Sequence, residues 1–216
     1  MKKIILFSFL AIALLVSCNK KDVIDNNEQV GISRITHYPV LTLLGDEYIT
    51  VVKGGTFTDP GATAVAGTDP APVTTTGTVD KNTTGVYVVN YTAVNKDGFS
   101  ASTQRFVIIY STDASAATND LSGNYARSTN GSVAVWTKLA PGVYKVFNPG
   151  GAPGTNLTVI VFNSTGFSIK IPSQAASDGS TTSSSGEVYT NSTPPKYSWV
   201  IVNSGYGTAL RTFTKQ

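Results

Sequence analysis

Few residues in this chain could carry acid–base or nucleophilic chemistry. His37 is the only histidine, so a Ser-His-Asp arrangement would have to use it. It lies at a domain edge beside the first predicted strand, where we expect a surface or packing role. A catalytic zinc needs three protein ligands, usually including histidine or cysteine, and Cys18 is the only cysteine. The sequence therefore predicts no metal site and no cofactor.

The carboxylates give little support to a hydrolase. A glycosidase usually needs two of them flanking the bond that it cleaves. From residue 120 onward the acidic residues are Asp120, Asp178 and Glu187. Asp178 lies in residues 173–186, a Ser/Thr/Gly-rich stretch that is typical of a mobile loop. Because a catalytic pair must be held rigidly, we predict no enzyme activity, and a pair of Asp178 and Glu187 is the enzymatic alternative.

Aromatic side chains are better candidates for a binding site, because the apolar faces of sugar rings stack on exposed rings. Trp136 lies opposite Val133 and Val135 on a predicted strand, since side chains alternate between the two faces. If the valines face the core, Trp136 is partly exposed and can bind a ligand. The alternative is that it fills the core, where aromatic residues are common.

Three tyrosine and tryptophan residues near the C-terminus are further candidates. Tyr197 and Trp199 share a face with Ile201, and either face of that strand could be the core. Tyr206 stands between two glycines, so we expect a turn that displays its ring. We predict ligand binding by these three residues together with Trp136, with burial in the core as the alternative.

The elements that would position these residues follow an N-terminal leader. Lys2 and Lys3 precede an apolar run over residues 4–16, which is shorter than the roughly 20 residues of a membrane span. Leu15-Val16-Ser17-Cys18 resembles a bacterial lipobox, which implies a signal peptide over residues 1–17 and a lipid on Cys18. It implies an anchor in the outer membrane of a Gram-negative bacterium, on the cell surface or the periplasmic face. The alternative is an ordinary signal peptide with an incidental cysteine.

Composition indicates a neutral extracellular protein. Charged residues make up only 13% of the chain, about half of the usual share. Removing Lys2 and Lys3 leaves 14 of the 16 basic residues against 13 acidic ones, a net charge of +1. No run of lysine and arginine is long enough for a nucleic-acid surface, so we expect no nucleic-acid partner. A single cysteine excludes disulfides within the chain.

Strand patterns predict an all-β protein with two domains. Residues 18–35 are polar without periodicity, which is typical of a flexible tether. Residues 36–110 contain short strand patterns separated by turns, and residues 111–119 are a small-residue linker. Residues 120–216 contain at least six strand candidates with short connections, which favours an antiparallel meander.

The first domain resembles the Ig-like domains of bacterial surface proteins. The resemblance rests on residues 55–64, GTFTDPGATA, and on residues 85–93 followed by the hairpin signal at 95–98. Residues 85–94 alternate, so that Tyr87, Val89, Tyr91 and Ala93 share one face. The resemblance implies an Ig-like β-sandwich that serves as a spacer or docking module and has no catalytic residues.

The second domain resembles the C-terminal β-domain of Bacteroidetes-type surface lipoproteins, on the residues 120–125, 142–146 and 148–151. We predict a central strand at residues 157–162, which are apolar on both faces, and another strand at residues 167–171. Whether this barrel-like domain closes or stays an open sandwich is undecided by the pattern.

These resemblances imply an accessory component of a glycan-uptake system. We therefore predict a non-catalytic envelope lipoprotein that binds a glycan or assists polysaccharide uptake beside outer-membrane transport proteins. The alternative is a structural or protein-docking, adhesin-like lipoprotein.

Overall fold

The computed structural model describes residues 29–30 and 33–216. The predicted signal peptide, Cys18 and most of the predicted tether lie outside the described residues. Within the tether, Gln29–Val30 (β1) and Ser33–Arg34 (β2) pair antiparallel. Tyr38–Gln216 form one compact unit. Over the described residues, no helix has the length and apolar character needed to cross a membrane.

Seven strands of the first domain form a two-sheet sandwich. The strands are Pro39–Leu43 (β3), Tyr48–Val52 (β4), Ala62–Ala66 (β5), Asp69–Pro70 (β6), Val73–Thr76 (β7), Gly85–Val94 (β8) and Ser100–Tyr110 (β9). β3, β5 and β6 form one sheet, and the other has the order β4-β9-β8-β7. β4 runs parallel to β9, and the other pairs are antiparallel. The predicted sandwich is confirmed.

The alternation in β8 places its apolar residues as predicted. Val89 and Tyr91 are buried and pack in one core with Leu41 and Leu43 of the facing sheet. The hairpin after β8 also forms where expected. Asn95 Oδ1 accepts the backbone N–H groups of Asp97 at 3.0 Å and Phe99 at 2.8 Å, so this side chain closes the turn itself.

Eight strands of the second domain curl into a nearly closed antiparallel barrel. The strands are Gly123–Arg127 (β10), Val133–Ala140 (β11), Val143–Phe147 (β12), Thr158–Phe162 (β13), Gln174–Ala175 (β14), Thr181–Thr190 (β15), Lys196–Val202 (β16) and Arg211–Lys215 (β17). Their order in the sheet is β13-β12-β11-β10-β17-β16-β15-β14. The interior is filled with large side chains, so the domain has a packed core in the place of a ligand cavity.

Two local predictions in this domain are wrong. The expected mobile loop over residues 173–186 is largely ordered sheet, because Thr182 and Ser184 of β15 point inward and are buried. The expected strand over residues 167–171 does not form, and only Lys170 makes a bridge, to Phe162. A serine- and threonine-rich segment can form a strand when its neighbours supply the pairing, which composition does not reveal.

β13 lies at one end of the sheet order, so the prediction of a central strand is also wrong. Its edge is nevertheless satisfied. Gln174 Oε1 accepts the Ile160 N–H at 2.8 Å, and Gln174 Nε2 donates to the Ile160 carbonyl at 2.7 Å. The carboxamide replaces a strand neighbour and nearly closes the barrel between β13 and β14. The face of β13 that carries Ile160 is apolar because it contacts the sandwich.

An apolar interface joins the sandwich to the barrel. Phe106 and Ile108 on the outer face of β9 pack against Val143 and Ile160 of the barrel, and all four are buried. Both faces of β9 are therefore covered, which explains its uninterrupted apolar run. The connection between the domains contains the helix Ala114–Ala117 (α1), whose Ala116 is buried.

Candidate functional site

Three of the four aromatic candidates lie inside the barrel. Trp136 and Tyr197 are 2% exposed and Trp199 is 0% exposed. The two tryptophan rings stack with centroids 5.7 Å apart, and Trp136 Nε1 donates to the Tyr197 hydroxyl at 3.2 Å. The expectation that Trp136 is partly exposed is wrong, because Ala134 and Trp136 face inward while Val135 is 37% exposed. These three rings offer no surface to a ligand.

Tyr206 lies at one end of the barrel and is half-buried. Its ring covers Gly150, where an added Cβ would come within 2.0 Å of the ring. Its hydroxyl is 2.9 Å from the Thr155 hydroxyl. Tyr206 therefore connects the loop after β16 to the loop after β12 across this end.

Two arginines point inward at the same end, which we call the barrel mouth. Tyr125 and Phe213 are buried, so Arg127 and Arg211, two residues away on β10 and β17, share the inward face. Arg127 pairs with Phe213 across the two strands, which makes Arg211 its diagonal neighbour. Diagonal positions are about 7–8 Å apart, within reach of long side chains.

Backbone carbonyls accept hydrogen bonds from only some of the N–H groups of each guanidinium. Arg127 donates to the carbonyls of Gly150 at 3.3 Å and Gly151 at 3.1 Å. Arg211 donates to the carbonyls of Ala209, at 2.8 Å, and Tyr206. The Nε atoms of both arginines are buried without a hydrogen-bond partner, and across residues 35–216 neither arginine pairs with a carboxylate.

The electrostatics of the barrel mouth are correspondingly positive. Arg211 is only 6% exposed. Burial lowers the pKa of its guanidinium, and the charge of Arg127 lowers it further, while Tyr206 acts in the opposite direction. The guanidinium stays charged, because arginine is not deprotonated in proteins. This end of the barrel therefore holds two like charges without a countercharge.

Sequence reasoning missed these two arginines, although a signal was present. Arg127 follows Tyr125 by two positions and Arg211 precedes Phe213 by two. An arginine in register with a buried aromatic is aimed at the interior of a barrel. The signal becomes readable only once the inward face of each strand is known.

A shallow groove lies on the outer side of the barrel near the loop that follows β16. It has a volume of about 370 Å³ and is open to solvent. Serine, threonine and asparagine side chains lie there beside two valines, and no charged side chain lines the groove. The lining residues include Thr181, Ser183, Val200, Val202, Ser204 and Thr208.

The acidic candidates serve local structure. Asp178 Oδ1 accepts the backbone N–H of Ser180 at 2.9 Å and its hydroxyl at 2.6 Å, which is a turn interaction. Glu187 Oε1 accepts the Ser184 hydroxyl at 2.5 Å. His37 is exposed. Among the residues that the structure describes, no three histidine, cysteine or acidic side chains are grouped to hold a metal ion.

The sandwich contains a buried arginine that, unlike the barrel pair, has its countercharge. Arg105 is fully buried and forms an ion pair with Asp59. It also donates to the Tyr91 hydroxyl at 2.6 Å and to the Leu44 carbonyl at 2.5 Å. Burial of Asp59 opposes its ionisation, but hydrogen bonds from Tyr91, Gly61 and Arg105, and the charge of Arg105, hold its pKa below the ordinary value. Asp59 lies in the GTFTDPGATA segment at residues 55–64, and its role here is structural, because it pairs with Arg105.

Comparisons with known proteins bear mainly on the sandwich. Residues 41–109 match the family model described as bacterial surface protein, Ig-like domain. The crystal structure of a lipoprotein from Bacteroides thetaiotaomicron is similar at 22% identity, with a TM-score of 0.42, over 83% of this chain and 100% of that chain. No curated protein matches the chain. Over residues 41–109 the first domain is therefore similar to the Ig-like domains of bacterial surface proteins.

Proposed function

We propose that this chain is a non-catalytic, lipid-anchored protein of the bacterial cell envelope that binds a glycan and assists polysaccharide uptake. The lipobox resemblance at Cys18 supports the anchor, and the Ig-like match over residues 41–109 supports a surface role. The anchor would be in the outer membrane. The Ig-like domain and the barrel would act together as the displayed body.

The outer groove of the barrel is the observation that carries glycan binding. Its hydroxyl and amide side chains can exchange hydrogen bonds with sugar hydroxyls. Val200 and Val202 supply apolar surface for the C–H faces of a sugar ring. A shallow, open groove without charges suits a neutral segment of a polysaccharide chain, which enters from the side.

The test is binding of the full chain, purified in detergent, to an array of neutral and acidic glycans. Val202→Asp places a charge in the groove and removes apolar surface, and Thr208→Tyr fills part of the groove, both from exposed positions. We expect both to reduce retention of a bound glycan at least tenfold, whereas Val188→Asp, an exposed change outside the groove lining, should leave it unaltered. Retention that all three variants keep would move the site elsewhere, and no retention on any glycan would remove the proposed function.

A second candidate function is docking to another envelope protein, including an outer-membrane transport protein. An exposed apolar patch on the Ig-like domain favours it. Val40 and Val65 are direct partners across β3 and β5 and are 62% and 45% exposed. The Tyr38 and Phe99 rings, both exposed, lie 5.0 Å apart. A partner captured by the native chain and lost with Val65→Asp, together with an empty glycan array, would favour this alternative.

A further inference from the structure

The barrel mouth contains two guanidinium groups whose donors are not all used. An arginine carries five N–H donors, and the carbonyls of two loops take two from each arginine. Carbonyl oxygens contribute partial charges only. Removing a cation from water is costly unless a countercharge and hydrogen bonds replace the hydration.

The unpartnered Nε atoms are donors that an anionic group could use. Arg211 is more than nine-tenths buried, and its Nε has no partner. The Nε of Arg127 also has no hydrogen-bond partner. Arg127 as a whole is partly exposed, so the barrel mouth is open to solvent beside Arg127. Elsewhere in the molecule the fully buried Arg105 is matched by Asp59. Among the arginines of residues 35–216, only the pair in the barrel lacks such a match.

We propose that Arg127 and Arg211 bind one anionic oxygen group, a carboxylate or a sulfate, of an acidic glycan. Guanidinium forks suit planar or tetrahedral oxyanions, because parallel N–H groups donate to two oxygens at once. The half-buried Tyr206 ring lies at the rim with the Arg211 guanidinium 5.3 Å from its centre, so the sugar that carries the anionic group would bind beside this ring. That the anion belongs to a glycan rests on the proposed function. The inference adds that the bound glycan contains an acidic sugar.

Inorganic sulfate tests the anion site without any glycan. The full chain in detergent is melted in sodium sulfate and in sodium chloride at equal ionic strength, beside Arg127→Gln and Lys170→Gln. Sulfate strengthens burial in every protein, so the readout is the difference between variants. We expect native chain and Lys170→Gln to gain about 3 °C more in Tm than Arg127→Gln does. An equal gain in all three overturns the anion site.

Oligosaccharides separate the two proposals. Binding of a galacturonic acid tetramer and of a neutral galactose tetramer is measured by calorimetry. We expect Arg127→Gln to weaken the acidic tetramer at least tenfold and the neutral one not at all. A neutral tetramer that binds as well as the acidic one overturns this inference and leaves the proposed function standing. A sulfate effect without binding of either tetramer supports the anion site and contradicts glycan binding. No effect of any probe overturns both.

Discussion

The carboxamide of Gln174 forms two hydrogen bonds to the backbone of Ile160, one to its N–H and one to its carbonyl. Both residues are buried. A single side chain thus satisfies the pair of groups that a neighbouring strand would otherwise satisfy. It protects the edge of β13 at the point where the barrel does not close.

Gln174→Ala should therefore lower the free energy of unfolding by about 2–4 kcal/mol, because each buried group left without a partner costs about 1–3 kcal/mol. Ser173→Ala, at the exposed neighbouring position, should change it by less than about 0.5 kcal/mol. Urea denaturation followed by tryptophan fluorescence measures both. Similar stability of the two variants would show that water or the backbone replaces the carboxamide.

Asp59→Asn should destabilise the protein by about 3–5 kcal/mol, because Arg105 would keep a buried charge without its partner. The pH dependence follows from the lowered pKa of Asp59. The stabilisation is complete above the ordinary value of 3.8 and is lost as the pH falls below it, because the unfolded chain then takes up the proton first.

Denaturation midpoints between pH 2.5 and 7 check this expectation. The native chain should lose stability below about pH 4 more steeply than Asp59→Asn does. Asp69→Asn, an exposed carboxylate on β6, is the matched control and should follow the native curve. Parallel curves for all three proteins would contradict the assignment of this pKa to the ion pair.

Trp136→Ala should act on stability, since the ring lies in the barrel core against Trp199. Truncation of a buried tryptophan costs about 3–5 kcal/mol. Val135→Ala, one position along and partly exposed, should cost less than about 1 kcal/mol. Near-ultraviolet circular dichroism during denaturation distinguishes the two. A stable Trp136→Ala variant that fails to bind glycan would instead place the ring at the ligand.

The apolar interface predicts that the Ig-like domain and the barrel unfold together. Scanning calorimetry of the native chain should give one transition. Ile160→Asp places a charge against Phe106 and Ile108 of the sandwich, and we expect it to split the transition into two or to unfold the barrel alone. The exposed change Val202→Asp should preserve one transition. Two transitions in the native chain would mean that the interface contributes little to stability.

The sequence predicts the sandwich better than the barrel, and particular residues explain the difference. In β8 the residues Val89, Tyr91 and Ala93 share the buried face, with polar Asn90 and Thr92 between them. The turn after β8 carries its own closing side chain, Asn95. In β11 both faces carry apolar residues, so the pattern around Trp136 does not identify the inward face. Residues 181–186 of β15 are predicted to be a loop because their pairing comes from residues far along the chain, which the local composition does not show. The arginine pair needs the strand register of β10 and β17 before its two members can be brought together.

The contact of Phe106 and Ile108 with the barrel also bears on how such a chain can be rearranged by recombination. Ig-like domains in surface proteins are often regarded as independent domains that can be duplicated, deleted or exchanged. Here the outer face of the β4-β9-β8-β7 sheet packs against the barrel. A break within residues 111–119 would therefore leave an apolar face uncovered on each of the two domains. Exchange of either domain alone would therefore require a replacement whose surface covers the same four apolar side chains, those of Phe106, Ile108, Val143 and Ile160.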